Sequence, residues 1–359
     1  MIRRIDLTLY DWPLVLLTLG INLSGLFILA SAAPSPRLWK MQIVWTGLAL
    51  FAAIILQLFR KSTVYRYAYW LYFLTLLLLV AVLFVGREVN GARSWFVLGP
   101  LRLQPSELAK LSLIISLAYY LRNRRLQKLS DYIGPLLLAT PPIALTIVEP
   151  DLGSALVMSA VVFGILFARG LPWKHLALAF LLVAVATPTV VWPKLKPYQQ
   201  ERILVVLNPA RDPLGAGFQV IQSMIAIGSG GVMGKGYGQG TQAQLGFIPE
   251  RQTDFIFSVL AEEMGLVGAL AILFAYAALL YRLAVMAMEA LHDSDRLLIA
   301  GVITLLAFQI LVNVGVTLGI APVTGITLPL FSYGGTSLLT TYLAIGLAQL
   351  VYRDRYEPV

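Results

Sequence analysis

Apolar runs of about 17 to 25 residues recur along this chain, each long enough to cross the hydrocarbon core of a bilayer as one helix. They fall at 12–30, 38–59, 67–85, 105–121, 133–148, 153–169, 174–192, 254–281, 296–320 and 334–352. That spacing predicts an all-α polytopic membrane protein with about ten spans. Residues 1–359 read as a single integral membrane domain, with a long extracytoplasmic loop, 193–253, between the seventh and eighth spans. Hydrophobic residues make up 58% of the chain and charged residues 13%, too little charge to coat a water-soluble domain of this size. The start resembles a secretory signal, with Arg3, Arg4 and a later "ASA", but its apolar run is too long and further spans follow. It is expected to stay as the first helix.

Cysteine is absent, so disulfides, thiolate nucleophiles and cysteine metal sites are excluded. The net charge of +9 has a topological explanation. With the N-terminus inside, Arg60, Lys61, Arg66, Arg122, Arg124, Arg125, Lys128, Arg169, Arg282 and Arg296 lie in cytoplasmic loops, while short outer loops carry few basic residues. Both termini are therefore expected on the cytoplasmic side of the membrane, and nucleic acid is not expected as a partner.

Acidic residues have little influence on orientation, yet Glu88, Glu107, Glu149, Asp151, Glu201, Asp212, Glu250 and Asp254 all fall at the expected outer end. Solvated loop charges and local ion pairs account for some. In "QPSELAK", Ser106 is a candidate N-cap, and Glu107 and Lys110 stand at i and i+3. They read either as an ion pair ordering the fourth span or as a phosphate-binding lysine held by its glutamate. "VEPDLGSAL" breaks a helix between Glu149 and Asp151, where Asp151 can cap the next helix or join Glu149 around a ligand. "GGVMGKG" lacks the G-x-x-x-x-G-K-[ST] spacing of a phosphate-binding loop; its glycines instead permit close backbone approach around Lys235. Finally, "FIPERQTDFIFSVLAEEMG" loads Glu250, Arg251, Asp254, Glu262 and Glu263 onto the start of an apolar span, with Asp254 at its rim.

"NGARSW", "QPSELAK", "EPDLGSAL", "LNPARDPLGAGFQVIQSMIAIGSGG", "GKGYGQGTQ", "FIPERQTDFIFSVLAEEMG" and "GIAPVTGITLPLFSYGGTS", in this order from about residue 90 to 340, together resemble the SEDS family (shape, elongation, division, sporulation). "DPLGAG" and "GKGYGQGTQ" are closer to its rod-shape branch than to its division branch. Gln252 stands where the family pattern has the histidine of "HTDF". The resemblance implies a peptidoglycan glycosyltransferase of the bacterial inner membrane that polymerises lipid II on its outer side, with a class B penicillin-binding protein as partner.

For such a reaction Asp254 is the expected catalytic base, and Lys110, Arg93, Arg102 and Arg202 are candidates to neutralise the diphosphate. Glu107, Asp151, Glu149, Lys235, Glu250 and Arg251 complete the expected substrate-binding set. A divalent cation (Mg or Mn) on Asp254, Glu107 or Asp151 is a further option for charge neutralisation. "PVTGITLPLFSYGG" has the prolines and glycines of a re-entrant cavity wall. A lipid II flippase and a non-catalytic scaffold for a transpeptidase are the competing readings.

Overall fold

The computed structural model describes residues 7–89, 92–99, 101–175, 177–178, 181, 189, 192–194, 197–212 and 215–357. The membrane bundle is built from α1 (Trp12–Ala32), α2 (Pro36–Leu56), a short α3 (Lys61–Arg66), α4 (Ala68–Val85), α5 (Pro105–Leu121), α6 (Ile133–Val148) and α7 (Leu152–Ala168). After the long connection, which carries α8 (Pro197–Leu207), α9 (Ala216–Gly230) and α10 (Thr241–Gln244), come α11 (Ile256–Glu289), α12 (Asp293–Thr317) and α13 (Gly335–Arg353). Nine of the expected spans thus coincide with helices, eight of them to within three residues, while the helix matching 254–281 runs on to Glu289 and 174–192 falls largely outside the described residues. Among the described residues, six helices are long and apolar enough to cross a membrane. Side chains such as Phe84, Phe274 and Leu311 point outward from these helices, as lipid-facing residues do.

Helix α5 is central. It packs on α4, α7 and α12, and Ser106, Glu107, Lys110, Ser112 and Ser116 are all buried. A helix with this polar content is stable at membrane depth only when protein surrounds it. Pro105 sits at its first turn with Gln104 as N-cap, so the helix starts one residue before the expected Ser106 cap. Proline pre-sets the helical φ there and lacks the N–H that a cap would satisfy.

Two expectations need correction. The fold is not purely α-helical: β1 (Arg87–Val89), β2 (Ala92–Leu98) and β3 (Leu101–Leu103) form a small antiparallel sheet ahead of α5, with Phe96 opposite Leu103. Gly99, with φ of 62°, makes the β2–β3 turn. Segment 193–253 is not a plain loop either. Among its described residues it contains three α-helices and buries Val205, Val220, Ala226 and Ile248 in a small core with Phe255 and Val316. Short amphipathic pieces of this kind leave too weak a period for a hydropathy scan.

The glycine-rich segment inserts beside a break in α11. Gly265 takes φ 66°, and the freed groups on either side bond to the inserted strand. Lys235 and Gly236 N–H donate to the carbonyls of Glu262 and Glu263 at 3.0 Å, while Leu266 and Val267 N–H donate to those of Gly231 and Val232. A Cβ at Gly265 would strike Val232 and Gly234 backbone, so glycine is required on both conformational and steric grounds. A buried ionic cluster closes the opposite end of the bundle. Lys61 Nζ bonds Asp295 at 2.8 Å, Tyr65 hydroxyl donates to the same carboxylate, and Lys61 N–H donates to Asp354.

Candidate active site

Asp254 lies in the turn that leads into α11, at the end of the bundle away from the Lys61–Asp295 cluster. Phe255 N–H and Thr253 N–H both donate to the Glu250 carbonyl, and the fully buried Phe255 and Ile248 fasten the turn to the small core. The non-helical segment 318–334, between α12 and α13, grips the turn from the other side. Tyr333 N–H donates to the Gln252 carbonyl at 2.8 Å, and Ser332 hydroxyl donates to the Thr253 carbonyl at 2.6 Å. Asn313 amide, from α12, donates to the Asp254 carbonyl at 3.1 Å and to that of Ile326 at 2.8 Å. Three successive carbonyls are held from outside, which fixes where the Asp254 carboxyl stands.

Burial pushes that carboxyl up to about 7 from its ordinary 3.8, and the negative charge of Glu250 pushes in the same direction. The positive charge of Arg202, on α8, and a hydrogen bond from Thr253 pull it down. Glu250 itself accepts from Thr253 hydroxyl at 3.1 Å and from Gln252 amide at 3.4 Å. A carboxylate titrating near neutrality can take a proton from a hydroxyl far better than an ordinary aspartate.

The second expected segment packs against the same non-helical segment 318–334: a Cβ on Gly153 would collide with Thr324 carbonyl and crowd Ile326. Here Asp151 caps α7, accepting from Ser154 N–H at 3.0 Å, and also accepts from Gln104 amide at 2.7 Å and Ser106 hydroxyl at 3.0 Å. Glu107 and Lys110 form a buried ion pair at 2.7 Å. Glu149 is fully buried, and neither of its oxygens has a hydrogen-bond partner among the described residues. Burial, and then the Asp151 charge, raise its carboxyl to about 8, which keeps it protonated at neutral pH.

Other predicted residues brace the long connection. Lys235 pairs with the buried Glu262 at 2.7 Å, and Glu262 also accepts from Gln242 and Ala243 N–H. Glu263 accepts from Ser31 at 2.5 Å. Arg251 donates to the carbonyls of Ala32 and Ala243, tying the connection to the end of α1. Arg93 and Arg102 stand exposed on β2 and β3. Arg102 and Arg37 lie near enough to Tyr333 for their charges to act on its phenol, which brings Arg102 toward the Asp254 turn.

The geometry thus gathers Asp254, Glu250 and Arg202 in one place, with Arg102 near by. Lys110, Lys235 and Arg251 have their charges engaged by Glu107, Glu262 and backbone carbonyls respectively. Asn313, Ser332, Tyr333 and Arg37 have roles around the turn that sequence reasoning missed. An asparagine inside the apolar run 296–320 was the available signal for Asn313. Among the described residues no group of three or more His, Cys, Asp or Glu side chains is arranged to hold a metal ion. Glu107 and Asp151, expected as cation ligands, are bonded to Lys110 and to Ser154, Gln104 and Ser106 instead.

Fold and site together define a multi-pass membrane protein whose polar groups converge at one end of the bundle around a fixed aspartate. The model of the FtsW/RodA/SpoVE cell cycle proteins matches residues 14–357, and the chain belongs to that family. It is 37% identical over 344 residues to the peptidoglycan glycosyltransferase MrdB of Escherichia coli K12, covering 95% of this chain and 92% of that protein. It is 38% identical over 357 residues to a probable peptidoglycan glycosyltransferase FtsW of Halorhodospira halophila, covering 94% and 89%. Among solved structures, a chain of a peptidoglycan synthase complex that coordinates polymerization and crosslinking aligns with TM-score 0.87 at 51% identity, covering 97% of this chain and 99% of that one. The rod shape determining protein RodA of Thermus thermophilus aligns with TM-score 0.76 at 43% identity, covering 97% and 98%.

Proposed function

We propose that this protein is an inverting peptidoglycan glycosyltransferase that polymerises lipid II into β-1,4 glycan strands on the outer face of the cytoplasmic membrane. The observation that carries the reading is Asp254: a carboxyl fixed by three held carbonyls, raised to about 7, with Arg202 acting on it. Relatives named as peptidoglycan glycosyltransferases supply the substrate class.

Asp254 takes the proton of the acceptor's 4-hydroxyl as that oxygen bonds to the donor's anomeric carbon. The bond from that carbon to the diphosphate oxygen breaks, the diphosphate leaves with the electron pair, and α becomes β by direct displacement. Arg202 and Arg102 are the cations best disposed to meet the developing charge, with Arg93 more remote on the sheet. Lys110 acts through its pair with Glu107, ordering α5. A magnesium or manganese ion would add charge neutralisation, but the donor set described above does not form a shell for one, so no step here runs through it.

In this reading the chain forms one membrane domain of about ten spans, with both termini cytoplasmic and 193–253 outside. The basic loops at the Lys61 end support that orientation. The likeness to a chain of a peptidoglycan synthase complex supports a class B penicillin-binding protein as partner. Purified wild type and Asp254→Asn, incubated with lipid II and resolved by gel, test the assignment. Loss of polymer by about a hundredfold or more is expected on removal of the base. Equal polymer from both would remove Asp254 from the chemistry, and no polymer from the wild type with its partner would favour transport or scaffolding.

A further inference from the structure

At the Lys61 end of the bundle, away from the Asp254 turn, a pocket of about 350 Å³ opens between the turn after α5, the end of α7 and the start of α12. Arg125, Leu126, Gln127, Arg169, Gly170 and Asp293 line it. The topological bias toward basic cytoplasmic loops accounts for the sign of the charges here, but it asks nothing of their geometry. That geometry is fixed. Arg169, the C-cap of α7, donates from Nε and Nη2 to the carbonyls of Arg124 and Arg122, and from Nη1 to Asp293. Asp131 accepts the N–H groups of Gln127 and Lys128 at 2.9 and 2.8 Å, and Leu126, between the two anchors, is buried. Arg122 lies over the Tyr119 ring at 3.7 Å and Arg124 over Tyr120 at 4.4 Å. Arg125 and Lys128 in this anchored turn, and Lys174 on the turn after α7, are exposed and make no ion pair among the described residues. Asp293, the acid in the lining, is taken up by Arg169.

We propose that this pocket binds the phosphodiester headgroup of an anionic phospholipid of the inner leaflet. The inference goes beyond the glycosyltransferase reading and takes from it only the orientation of the bundle. A turn already held by hydrogen bonds presents its cations without first being ordered, so docking a phosphate costs little entropy. The apolar part of the ligand is met alongside. Phe163 and Phe167, on the last turns of α7, are exposed and stacked with ring centroids 6.4 Å apart, and Trp173 is exposed just past Gly170. Aromatic side chains at the end of a span belong at headgroup depth. Inorganic phosphate would use the basic half of this surface alone, and a neutral phospholipid would bring its own cation against Arg125 and Lys128. An anionic diacyl lipid meets both halves. Near an anionic leaflet each basic residue is worth about a fivefold gain in affinity, so Arg125 and Lys128 together supply about tenfold or more.

The test places the full chain in phosphatidylcholine nanodiscs doped with phosphatidylglycerol that carries a diazirine near its headgroup. Cross-links are mapped by mass spectrometry, with unlabelled phosphatidylglycerol, phosphatidylcholine and inorganic phosphate as competitors. Cross-links within 122–128 and 163–174 are expected, displaced by phosphatidylglycerol at about tenfold lower concentration than by phosphatidylcholine. Arg125→Gln with Lys128→Gln should cut them about tenfold. Asp131→Ala should cut them too, although it removes a negative charge, because it releases the Gln127 and Lys128 N–H groups. Arg60→Gln with Arg66→Gln, exposed residues that lie outside the pocket lining, should leave them unchanged. Diffuse attraction to a charged leaflet predicts the reverse: an equal loss from the Arg60 and Arg66 pair, and a gain from Asp131→Ala. Either result would overturn the proposal. So would displacement by phosphatidylcholine as readily as by phosphatidylglycerol, or by inorganic phosphate alone, which would make this a free-anion site. A wild type that makes no polymer would defeat the glycosyltransferase reading, while the cross-link map would still decide whether the pocket takes the lipid.

Discussion

Replacing Glu250 by glutamine tests the site through a quantity set by its electrostatics. The Asp254 carboxyl stands at about 7, and the active form of a base is the ionised one. At pH 6 about one-tenth of the molecules carry that carboxylate, at pH 7 about half and at pH 8 about nine-tenths, so kcat/KM should rise about tenfold between pH 6 and 8. Glu250 contributes a like charge that holds the proton on Asp254, so Glu250→Gln should move the rising limb to lower pH. Arg202 acts oppositely, and Arg202→Gln should move it to higher pH as well as weaken binding of the diphosphate. Initial rates of lipid II polymerisation by purified protein, across pH 5.5 to 8.5 at saturating and limiting substrate, give the profile. A flat wild-type profile, or an alkaline displacement by Glu250→Gln, would refute the reasoning.

Three further outcomes concern stability, measured by unfolding in detergent. Glu149 has a folded value near 8 against an ordinary 4.5, so the stability of its protonated form is fully present below 4.5 and lost as pH rises toward 8. Wild type should lose on the order of 3 kcal/mol from this group between pH 4.5 and 7, and Glu149→Gln should lack that component. Asp295→Ala strands the buried Lys61 ammonium and should cost about 3–5 kcal/mol, much of which Lys61→Met in the same chain should restore. Gly265→Ala must adopt φ 66° and clash with the inserted strand; a loss of at least about 1–3 kcal/mol is expected, with faster proteolysis at 231–246.

The sequence by itself determined the mostly helical, membrane-protein character of the chain and the positions of nine apolar segments that fold as helices. Length and apolarity suffice for the first, because a bilayer obliges every backbone polar group to be satisfied within a helix. It also marked Asp254, since a carboxylate at the rim of an apolar span is costly without a reason. Family resemblance carried the chemistry, and the order of its motifs outweighed Gln252.

Tertiary structure alone decided how the charges are spent. Glu107, Lys110, Glu250, Arg251, Asp254 and Glu262 look equivalent in a list of polar residues near outer helix ends. Only their packing shows that Lys110 faces Glu107, that Arg251 is absorbed by backbone carbonyls, and that Glu262 holds Lys235, 27 positions earlier. An ion pair between distant positions depends on which helices lie side by side, and apolar patterning does not encode neighbour identity when lipid and protein are equally apolar. The same limit hid Asn313, Ser332 and Tyr333. Their partners are carbonyls of residues 252–254, a pairing that exists only once α12 and segment 318–334 pack over the start of α11.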